Sequence, residues 1–466
     1  YRRQFISENR RLLTNYRFFF GKESAVYNLN FRMKKDQWLL LALKFVRMVA
    51  YGQTTMILVP FLLSLNSTDS QVGMFMTLTL IGDVVLSSYI TFTADKFGRR
   101  YMLGTSAVLM ILSGVAFMFS SNYWLLLTAA IFGVISPSGD EVGPFRAIEE
   151  ATIAHITPED KRATVFAAQN LFGTLGLAIG SLSGGFLVDF FTKKAGKVND
   201  AYRVVFFCYV LCAVCNLVIS AILSEETEII EAFEELDAEA AAATINHNAN
   251  ANENENVNEN ENANSNQTPD SYNGYRNLAL TLCSFFGIDS LAYGFMPNSW
   301  LVEYLMRQFN SPSTIVGLFF FASTFISAAT SFPSAWFTDY VGPVAAISLT
   351  KLGAGLFGAL VPTASKQMGA MSYIWMRSLF DTMDVVPRQV FLTSIIEETE
   401  RTKILGMVNV TKTLARAIGP IFTGMLAGAG HLDVCFYIMG ALEWVFAGAV
   451  YVVFAKSERP AGPLQI

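Results

Sequence analysis

The stretch TFTADKFGRRYML, residues 91–103, places an Asp, a Lys and two Arg between two apolar runs. The run that follows, YMLGTSAVLMILSGVAFMFS, covers residues 101–120 without a charged residue. A helix needs roughly 20 mostly apolar residues to cross a bilayer. We therefore interpret the stretch as a tight turn between two membrane-spanning helices.

Charge is scarce along the whole chain. Asp, Glu, Lys and Arg make up 15% of the 466 residues, against about a quarter in an ordinary soluble protein. The five cysteines lie in apolar runs, so they predict neither a disulfide framework nor a metal centre. No nucleophile–base pair or phosphate loop is evident in the sequence, which argues against an enzyme and against any cofactor. Composition thus indicates a polytopic membrane protein.

Apolar runs that end at charged residues, Gly or Pro predict twelve spans, and hence an all-α membrane protein. The predicted spans are residues 38–64, 71–94, 101–120, 124–151, 163–190, 203–223, 276–306, 313–338, 343–364, 371–396, 403–428 and 432–455. They are numbered 1 to 12 below.

Five parts follow from this division of the chain. They are a basic tail (1–37), a six-helix bundle (38–223), an acidic and Asn-rich linker (224–275), a second six-helix bundle (276–455) and a C-terminal tail (456–466). The linker has too few apolar residues to offset its chain entropy, so we expect it to be largely disordered.

The distribution of Lys and Arg predicts the orientation. Basic residues crowd the first tail and the turn between spans 2 and 3: Arg2, Arg3, Arg10, Arg11, Arg17, Lys22, Arg32, Lys34, Lys35, Lys96, Arg99 and Arg100. By the positive-inside rule both tails and the linker face the cytoplasm. The opposite orientation is favoured by Lys193, Lys194 and Lys197, which would lie outside. The N-terminal tail has more basic residues, so we let it decide the orientation. The sequon at Asn66 is then external, and we expect a plasma-membrane rather than an organellar protein.

The two halves repeat one another at a nearly constant offset. RMVAYG (47–52) matches DSLAYG (289–294), and RATVFAAQN (162–170) matches RTKILGMVN (401–409). Glu141-x-x-Pro144 in span 4 matches Asp384-x-x-Pro387 in span 10, with an Arg close behind each. Paired repeats are typical of secondary transporters, whose binding site lies between the two halves.

The turn DKFGRR (95–100) resembles the loop 2–3 signature of the major facilitator superfamily, with Thr91 and Lys96 departing from its usual Gly and Arg. Asp339-x-x-Gly342 repeats it without the basic residues. The resemblance implies a twelve-helix fold with alternating access, in which spans 1, 4, 7 and 10 line the cavity. We expect a cytoplasmic gate at Asp95, Gly98, Arg99, Arg100, Asp339 and Gly342. The alternative is that the signature only fixes topology.

Charged residues recur in these four spans although a charge at mid-bilayer costs roughly 2.5–3.5 kcal/mol or more. The predicted substrate and proton pathway consists of Arg47, Asp140, Glu141, Arg146, Asp289, Arg377, Asp381, Asp384 and Arg388. We expect Arg47 to face Asp289 across the pseudo-twofold axis, and Glu141 and Asp384 to carry protons. Glu443 in span 12 is expected to be structural or interfacial. The alternative is that each charge belongs to a structural lock.

Small residues in spans 5 and 11 resemble the fifth-helix antiporter motif of the same superfamily. They are Gly176, Gly180, Gly184, Gly185, Gly419, Pro420 and Gly424. This favours export, and close helix packing is the alternative explanation.

Together these features predict a proton-coupled secondary transporter of a small organic or ionic solute, with export preferred. Two alternatives stay open: uptake or facilitated diffusion of an anion such as phosphate or a carboxylate, and a receptor on the same fold that no longer transports. The expected partners are a small-molecule or ion substrate, protons and membrane lipid, without nucleic acid, metal or cofactor, and the expected state is a monomer.

Overall fold

The computed structural model describes residues 33–133, 135, 144–228, 269–396 and 398–455. Throughout these ranges the regular structure is helical. Both tails, the middle of span 4 with Asp140 and Glu141, and most of the linker lie outside the described residues. The side chains of residues 87–97, Asp95 among them, also lie outside them.

The described helices form twelve spans, as predicted. Nine spans are single helices: Lys35–Ser64 (span 1), Asp69–Phe97 (2), Arg99–Phe119 (3), Glu159–Ala195 (5), Val198–Ile222 (6), Ser313–Val341 (8), Pro343–Leu360 (9), Glu398–Gly428 (11) and Leu432–Phe454 (12). Three spans contain two helices each: Tyr123–Phe132 and Pro144–Ile156 (span 4), Pro269–Phe295 and Asn298–Phe309 (7), and Gln367–Met383 and Val385–Ile395 (10). Short 3-10 helices follow spans 6 and 9, at Glu225–Thr227 and Val361–Thr363.

Among the described residues, eight helices are long and apolar enough to cross a membrane. Spans 4, 8, 10 and 11 are not among these eight. Spans 4 and 10 contain shorter helices, of 10 and 13 residues in span 4 and of 17 and 11 residues in span 10, and span 8 contributes a shorter apolar helix at Ser313–Ser327. The all-α, membrane-spanning fold is confirmed.

The spans pack in a pattern that repeats between the halves. Span 1 lies against span 5 and span 3 against span 6, while span 7 lies against span 11 and span 9 against span 12. Between the halves, span 2 packs on span 11 and span 5 packs on span 8. An aromatic cluster fills the first half, where the Phe206 ring lies 5.0 Å from that of Phe61 and 4.8 Å from that of Phe117.

Proline explains the interruption of span 10. Pro387 has no backbone N–H, so the carbonyl four residues earlier, that of Met383, loses its helical partner. Ser334 of span 8 donates its hydroxyl to this carbonyl at 2.7 Å. The helix therefore breaks at Asp384 without leaving the Met383 carbonyl unsatisfied, and Asp384 lies at the junction.

The turns after spans 2 and 8 have the same backbone conformation. Gly98 has φ +91° and Gly342 has φ +87°, values that residues with a Cβ rarely adopt. In the first half a carboxylate covers this turn, because Glu228 accepts from the backbone N–H of Arg99 at 2.7 Å and of Arg100 at 3.0 Å. Glu228 thereby satisfies two of the free N–H groups at the start of span 3.

The start of the predicted linker is consequently part of the folded domain. Ser224 donates from its backbone N–H and its hydroxyl to Asp36 at the start of span 1, at 3.1 and 2.6 Å. Residues 224–228 thus connect the ends of spans 1, 3 and 6. The helix of span 7 begins at Pro269, seven residues before the predicted start of the second bundle at residue 276.

Removing the charge of Glu228 is expected to destabilise the protein. In Glu228→Gln one side-chain oxygen becomes an NH2 group that faces a backbone donor, so we expect a loss typical of a helix cap, about 0.5–2 kcal/mol. The measurement is thermal unfolding of the purified protein in detergent. Glu226→Gln is the matched control, since Glu226 is 65% exposed and only pairs with Lys34 at the surface. Equal melting temperatures for the two variants would contradict the capping role.

Candidate functional site

In the first half, Arg47 of span 1 and Glu149 of span 4 form a buried ion pair. Both side chains are 0% exposed. Arg47 Nη2 donates to Glu149 Oε2 at 2.8 Å, and Nη1 donates to Oε1, which is the bidentate geometry of strong Arg–carboxylate pairs. The Phe145 ring, one turn earlier on span 4, lies 4.7 Å from the guanidinium. This pair connects the first and fourth spans of one half.

In the second half, Lys351 of span 9 connects three carboxylates. Its Nζ lies 2.7 Å from Asp381 Oδ1, 3.0 Å from Asp289 Oδ1 and 3.7 Å from Asp384 Oδ2. The lysine is 6% exposed. A single ammonium group therefore balances carboxylates from spans 7 and 10.

Arg388 completes this arrangement one turn after Asp384. Its Nη1 donates to Asp289 Oδ2 at 2.8 Å, and its Nη2 donates to Asp384 Oδ2. The Phe286 ring of span 7 lies 5.0 Å from the guanidinium. Asp289 of span 7 is consequently held between a cation on span 9 and a cation on span 10.

Arg377 extends the chain of ion pairs from span 10 to Glu443 of span 12. Its Nη2 lies 3.2 Å from Asp381 Oδ2 and 3.2 Å from Glu443 Oε1. Gly358 of span 9 leaves room for this side chain, because a Cβ there would lie 3.3 Å from Arg377 Cδ. We call the connected group the C-half network. Its members are Asp289, Lys351, Arg377, Asp381, Asp384, Arg388 and Glu443.

The local sequence of span 10 explains why one span supplies four of these groups. Arg377 and Asp381 are four residues apart, as are Asp384 and Arg388, so each pair lies on one face of its helix. The break at Asp384 separates the two pairs. Each helix of span 10 thus contributes one cation and one carboxylate to the C-half network.

The predicted pairing of Arg47 with Asp289 is wrong. Arg47 pairs with Glu149, and Asp289 pairs with Lys351 and Arg388. The repeat positions are equivalent but their charges are opposite, so each residue finds its counter-charge on the fourth span of its own half. The two halves therefore carry the same kind of lock with the signs exchanged: Arg to Glu from span 1 to span 4, and Asp to Arg from span 7 to span 10.

The other predicted residues of span 4 and the turns are less closely associated with these locks. Arg146 pairs with Glu150 at 2.8 Å, with side chains 57% and 39% exposed. Arg99 Nη1 donates to the Ala151 carbonyl at 3.2 Å, and Arg100 Nη2 donates to the Ala221 carbonyl at 2.6 Å. Asp339 is exposed at the end of span 8.

Sequence reasoning missed Glu149 and Lys351 as site residues, and it assigned Glu443 a structural or interfacial role. A signal existed for Lys351, because it is the lone charged residue in the apolar run of span 9 and a lone charge in a span needs a partner. Glu149 is adjacent to Glu150, and the sequence does not show which of the two faces the interior.

The glycines of spans 5 and 11 lie at close helix contacts. A Cβ on Gly180 would lie 2.2 Å from the Val49 carbonyl oxygen of span 1, and one on Gly419 would lie 2.1 Å from the Gly294 carbonyl carbon of span 7. Gly176 and Gly184 also face span 1. These contacts hold the first and fifth spans of each half together.

Further small residues join the two halves at the end of the fold opposite the start of span 1 and the end of span 12. A Cβ on Gly185 of span 5 would lie 2.2 Å from the Ser313 carbonyl oxygen of span 8, and one on Gly424 of span 11 would lie 2.4 Å from the Asp69 carbonyl oxygen of span 2. Pro420 contacts span 2 in the same region, where its carbonyl oxygen would lie 2.3 Å from a Cβ on Gly73.

Polar contacts support the same interface between the halves. Asp189 of span 5 accepts from the backbone N–H groups of Ser313 and Thr314, at 3.1 and 2.7 Å, and so caps span 8. Arg307 Nη1 of span 7 lies 3.3 Å from Asp69 Oδ1 of span 2. These polar contacts thus add to the packing of span 2 on span 11 and of span 5 on span 8.

Comparisons with known proteins agree with this architecture. The family model "Major Facilitator Superfamily" matches residues 40–260 and 278–465. An uncharacterized membrane protein of Saccharomyces cerevisiae, YJR124C, is 39% identical over 88% of this chain and 91% of its own length.

Solved transporters share the fold at low sequence identity. The D-xylose-proton symporter superposes with a TM-score of 0.65 at 16% identity, covering 89% of this chain and 97% of its own. The nucleoside transporter NupG gives 0.66 at 12% identity, covering 90% and 99%. The chain therefore belongs to the Major Facilitator Superfamily, a family of integral membrane transporters and not of enzymes.

Proposed function

We propose that the protein is a secondary active transporter that moves a small organic or ionic solute by alternating access, with proton coupling and a preference for export. One observation carries the proposal: each half is internally locked by a buried ion pair between its first and fourth spans, while the halves meet where span 2 packs on span 11 and span 5 on span 8. Two internally locked halves can rock as rigid bodies about such an interface.

Proton coupling is supported by the carboxylates of the C-half network. Asp289, Asp381 and Asp384 come from spans 7 and 10, and each lies within 4.0 Å of two cations. A substrate or proton that neutralises one member changes the balance of all the others, which is a direct way to link binding to conformation. The proposed orientation, from the positive-inside rule, has both termini in the cytoplasm and places outside the end at which Gly185 and Gly424 join the halves.

The test is transport by the purified protein in proteoliposomes, screened against solute pools with and without an imposed pH gradient. A pH-sensitive dye inside the vesicles reports proton movement when a transported solute is added. We expect flux that depends on the gradient and disappears when an uncoupler removes it. Empty liposomes are the control. Transport that ignores the gradient would remove proton coupling, and no transport of any pool would favour the receptor alternative.

A second candidate function is transport of an anion, and Lys412 of span 11 favours it. This lysine is partly exposed, and none of the described carboxylates lies within ion-pair distance of it. It is nevertheless close enough to Asp289, Asp384 and Arg388 to interact with them electrostatically. A cation in this position can attract a phosphate or carboxylate group. The same screen distinguishes the candidates, because an anion transporter would respond to pools of phosphate and carboxylates and not to neutral solutes.

A further inference from the structure

Among groups in ion-pair contact within 4.0 Å, the C-half network contains one more carboxylate than it has cations, and Lys412 lies outside these contacts. Lys351, Arg377 and Arg388 supply three positive charges, and Asp289, Asp381, Asp384 and Glu443 supply four negative charges when all are ionised. An uncompensated charge in a buried site is costly, and a buried group usually escapes that cost by becoming neutral.

The contacts differ among the four carboxylates. Asp289 lies within 3.0 Å of Lys351 and 2.8 Å of Arg388, and Asp381 lies within 2.7 Å of Lys351 and 3.2 Å of Arg377. Asp384 has Arg388 as a close partner and Lys351 at 3.7 Å. Each of these three therefore has two cations.

Glu443 has a single cation, which it shares. Arg377 reaches Glu443 Oε1 at 3.2 Å while it also contacts Asp381. Glu443 Oε2 is buried and has no hydrogen-bond partner among the described residues, as is also true of Asp289 Oδ1 and Asp384 Oδ1, but those two carboxylates each have two cations. The whole Glu443 residue is 1% exposed. By contact and by burial it is the carboxylate with the least compensation.

Within the part of the chain that the structure describes, no second positive charge lies at contact distance from Glu443. Span 10 presents Arg377 and Asp381, span 9 presents Lys351 beyond Asp381, and span 7 presents Asp289. Span 11 also packs on span 12, but its Lys412 lies near Asp289, Asp384 and Arg388. Close packing keeps Glu443 in this position: Gly440 contacts Gly355 of span 9, and the Trp444 indole donates to the Leu352 carbonyl at 3.1 Å.

We propose that Glu443 is a proton-binding site of this transporter, and that the protonated carboxyl of span 12 is one end of an ionic chain whose other end lies at Asp289 and Asp384. This deepens the proposed function, and its link to transport rests on that proposal. When Glu443 is protonated, Arg377 is left to Asp381. When Glu443 loses its proton, it competes with Asp381 for Arg377. Asp381 is then less compensated by Arg377 and interacts more strongly with Lys351. The proton thus changes the balance at spans 7 and 10 from a separate position on span 12.

Infrared spectroscopy of the purified protein tests the proposal directly. At neutral pH we expect the C=O absorption of a protonated carboxylic acid in the native protein, and its loss in Glu443→Gln and in Glu443→Met. Glu150→Gln is the control, because it removes a carboxylate of span 4 that pairs with Arg146 outside the C-half network and should leave the absorption in place. The native melting temperature should also survive in Glu443→Gln, since that side chain imitates the neutral acid.

Two results would overturn the proposal. One is an unchanged carboxylic acid absorption in both Glu443 variants, which would assign any bound proton to another residue such as Asp384. The other is a large loss of thermal stability in both variants, as expected if Glu443 is an ionised partner of Arg377. Failure of the proposed function looks different: transport would ignore a pH gradient while the absorption still disappeared with Glu443.

Discussion

Replacing Lys351 by methionine is expected to destabilise the second half severely. The variant keeps a side chain of similar length but removes the ammonium group that contacts Asp289 and Asp381 and approaches Asp384. Removing one partner of a buried ion pair costs about 3–5 kcal/mol, because the remaining charge is buried without compensation. We expect a loss at or above this range, since three carboxylates share the same cation.

Thermal unfolding in detergent and the yield of monodisperse protein measure this effect. Lys366→Met is the matched control, because Lys366 is exposed in the connection between spans 9 and 10. Adding Asp381→Asn to Lys351→Met removes a negative charge together with the positive one, so the double variant should recover part of the lost stability. If Lys351→Met and the Lys366→Met control have the same melting temperature, Lys351 does not hold the network together.

The double variant Lys351→Met/Asp381→Asn should transport far more slowly than the native protein even where its melting temperature is largely recovered. It restores the charge balance but not the connection between span 9 and the carboxylates of spans 7 and 10. A double variant that folds well and still transports at the native rate would show that the network is a structural lock alone.

The fold could be predicted from sequence because each helix that crosses a bilayer needs roughly 20 mostly apolar residues. Twelve apolar runs of sufficient length, a repeat between the halves and the turn at Gly98 all indicate the same architecture, and the structure agrees. The interruptions were harder to predict. The break at Asp384 depends on Pro387 and also on Ser334 of another span, which satisfies the Met383 carbonyl, and a hydropathy pattern does not contain that second contact.

The location of the charged site could also be predicted, but its pairings could not. Because a charge in lipid is costly, Arg47, Asp289 and Asp384 can be identified as candidates without knowing their partners. Which carboxylate meets which cation depends on the rotation of each helix about its axis and on neighbours that follow much later in the chain. Symmetry alone suggested that Arg47 meets Asp289, whereas contact within each half decides the pairing.

The segment after span 6 shows a similar limit. Its acidic composition resembles that of the rest of the linker, and composition alone predicts a solvated chain. Glu228 is nevertheless folded onto the N-terminus of span 3. Free backbone N–H groups at a helix start attract a carboxylate, but the sequence does not show which of several nearby Glu residues supplies it.

The Arg47–Glu149 pair should show strong coupling in a double-mutant cycle. Both side chains are 0% exposed and joined by two hydrogen bonds, so Arg47→Met leaves a buried carboxylate and Glu149→Gln leaves a buried guanidinium. We expect each single variant to lose about 3–5 kcal/mol of unfolding free energy. The double variant should lose clearly less than the sum, because neither uncompensated charge remains.

Arg146→Met is the matched control for this cycle on the same span. Its partner is Glu150, and the pair is largely exposed, so its removal should change stability by about 0–1 kcal/mol. Thermal and denaturant unfolding of the four proteins provide the measurement. Additive losses in the Arg47 and Glu149 variants would contradict the lock, because independent residues add and coupled residues do not. A further outcome is that the cycle shows coupling while Arg146→Met folds normally and loses transport. In that case the buried Arg47–Glu149 pair stabilises the fold, and the exposed Arg146 acts on the substrate.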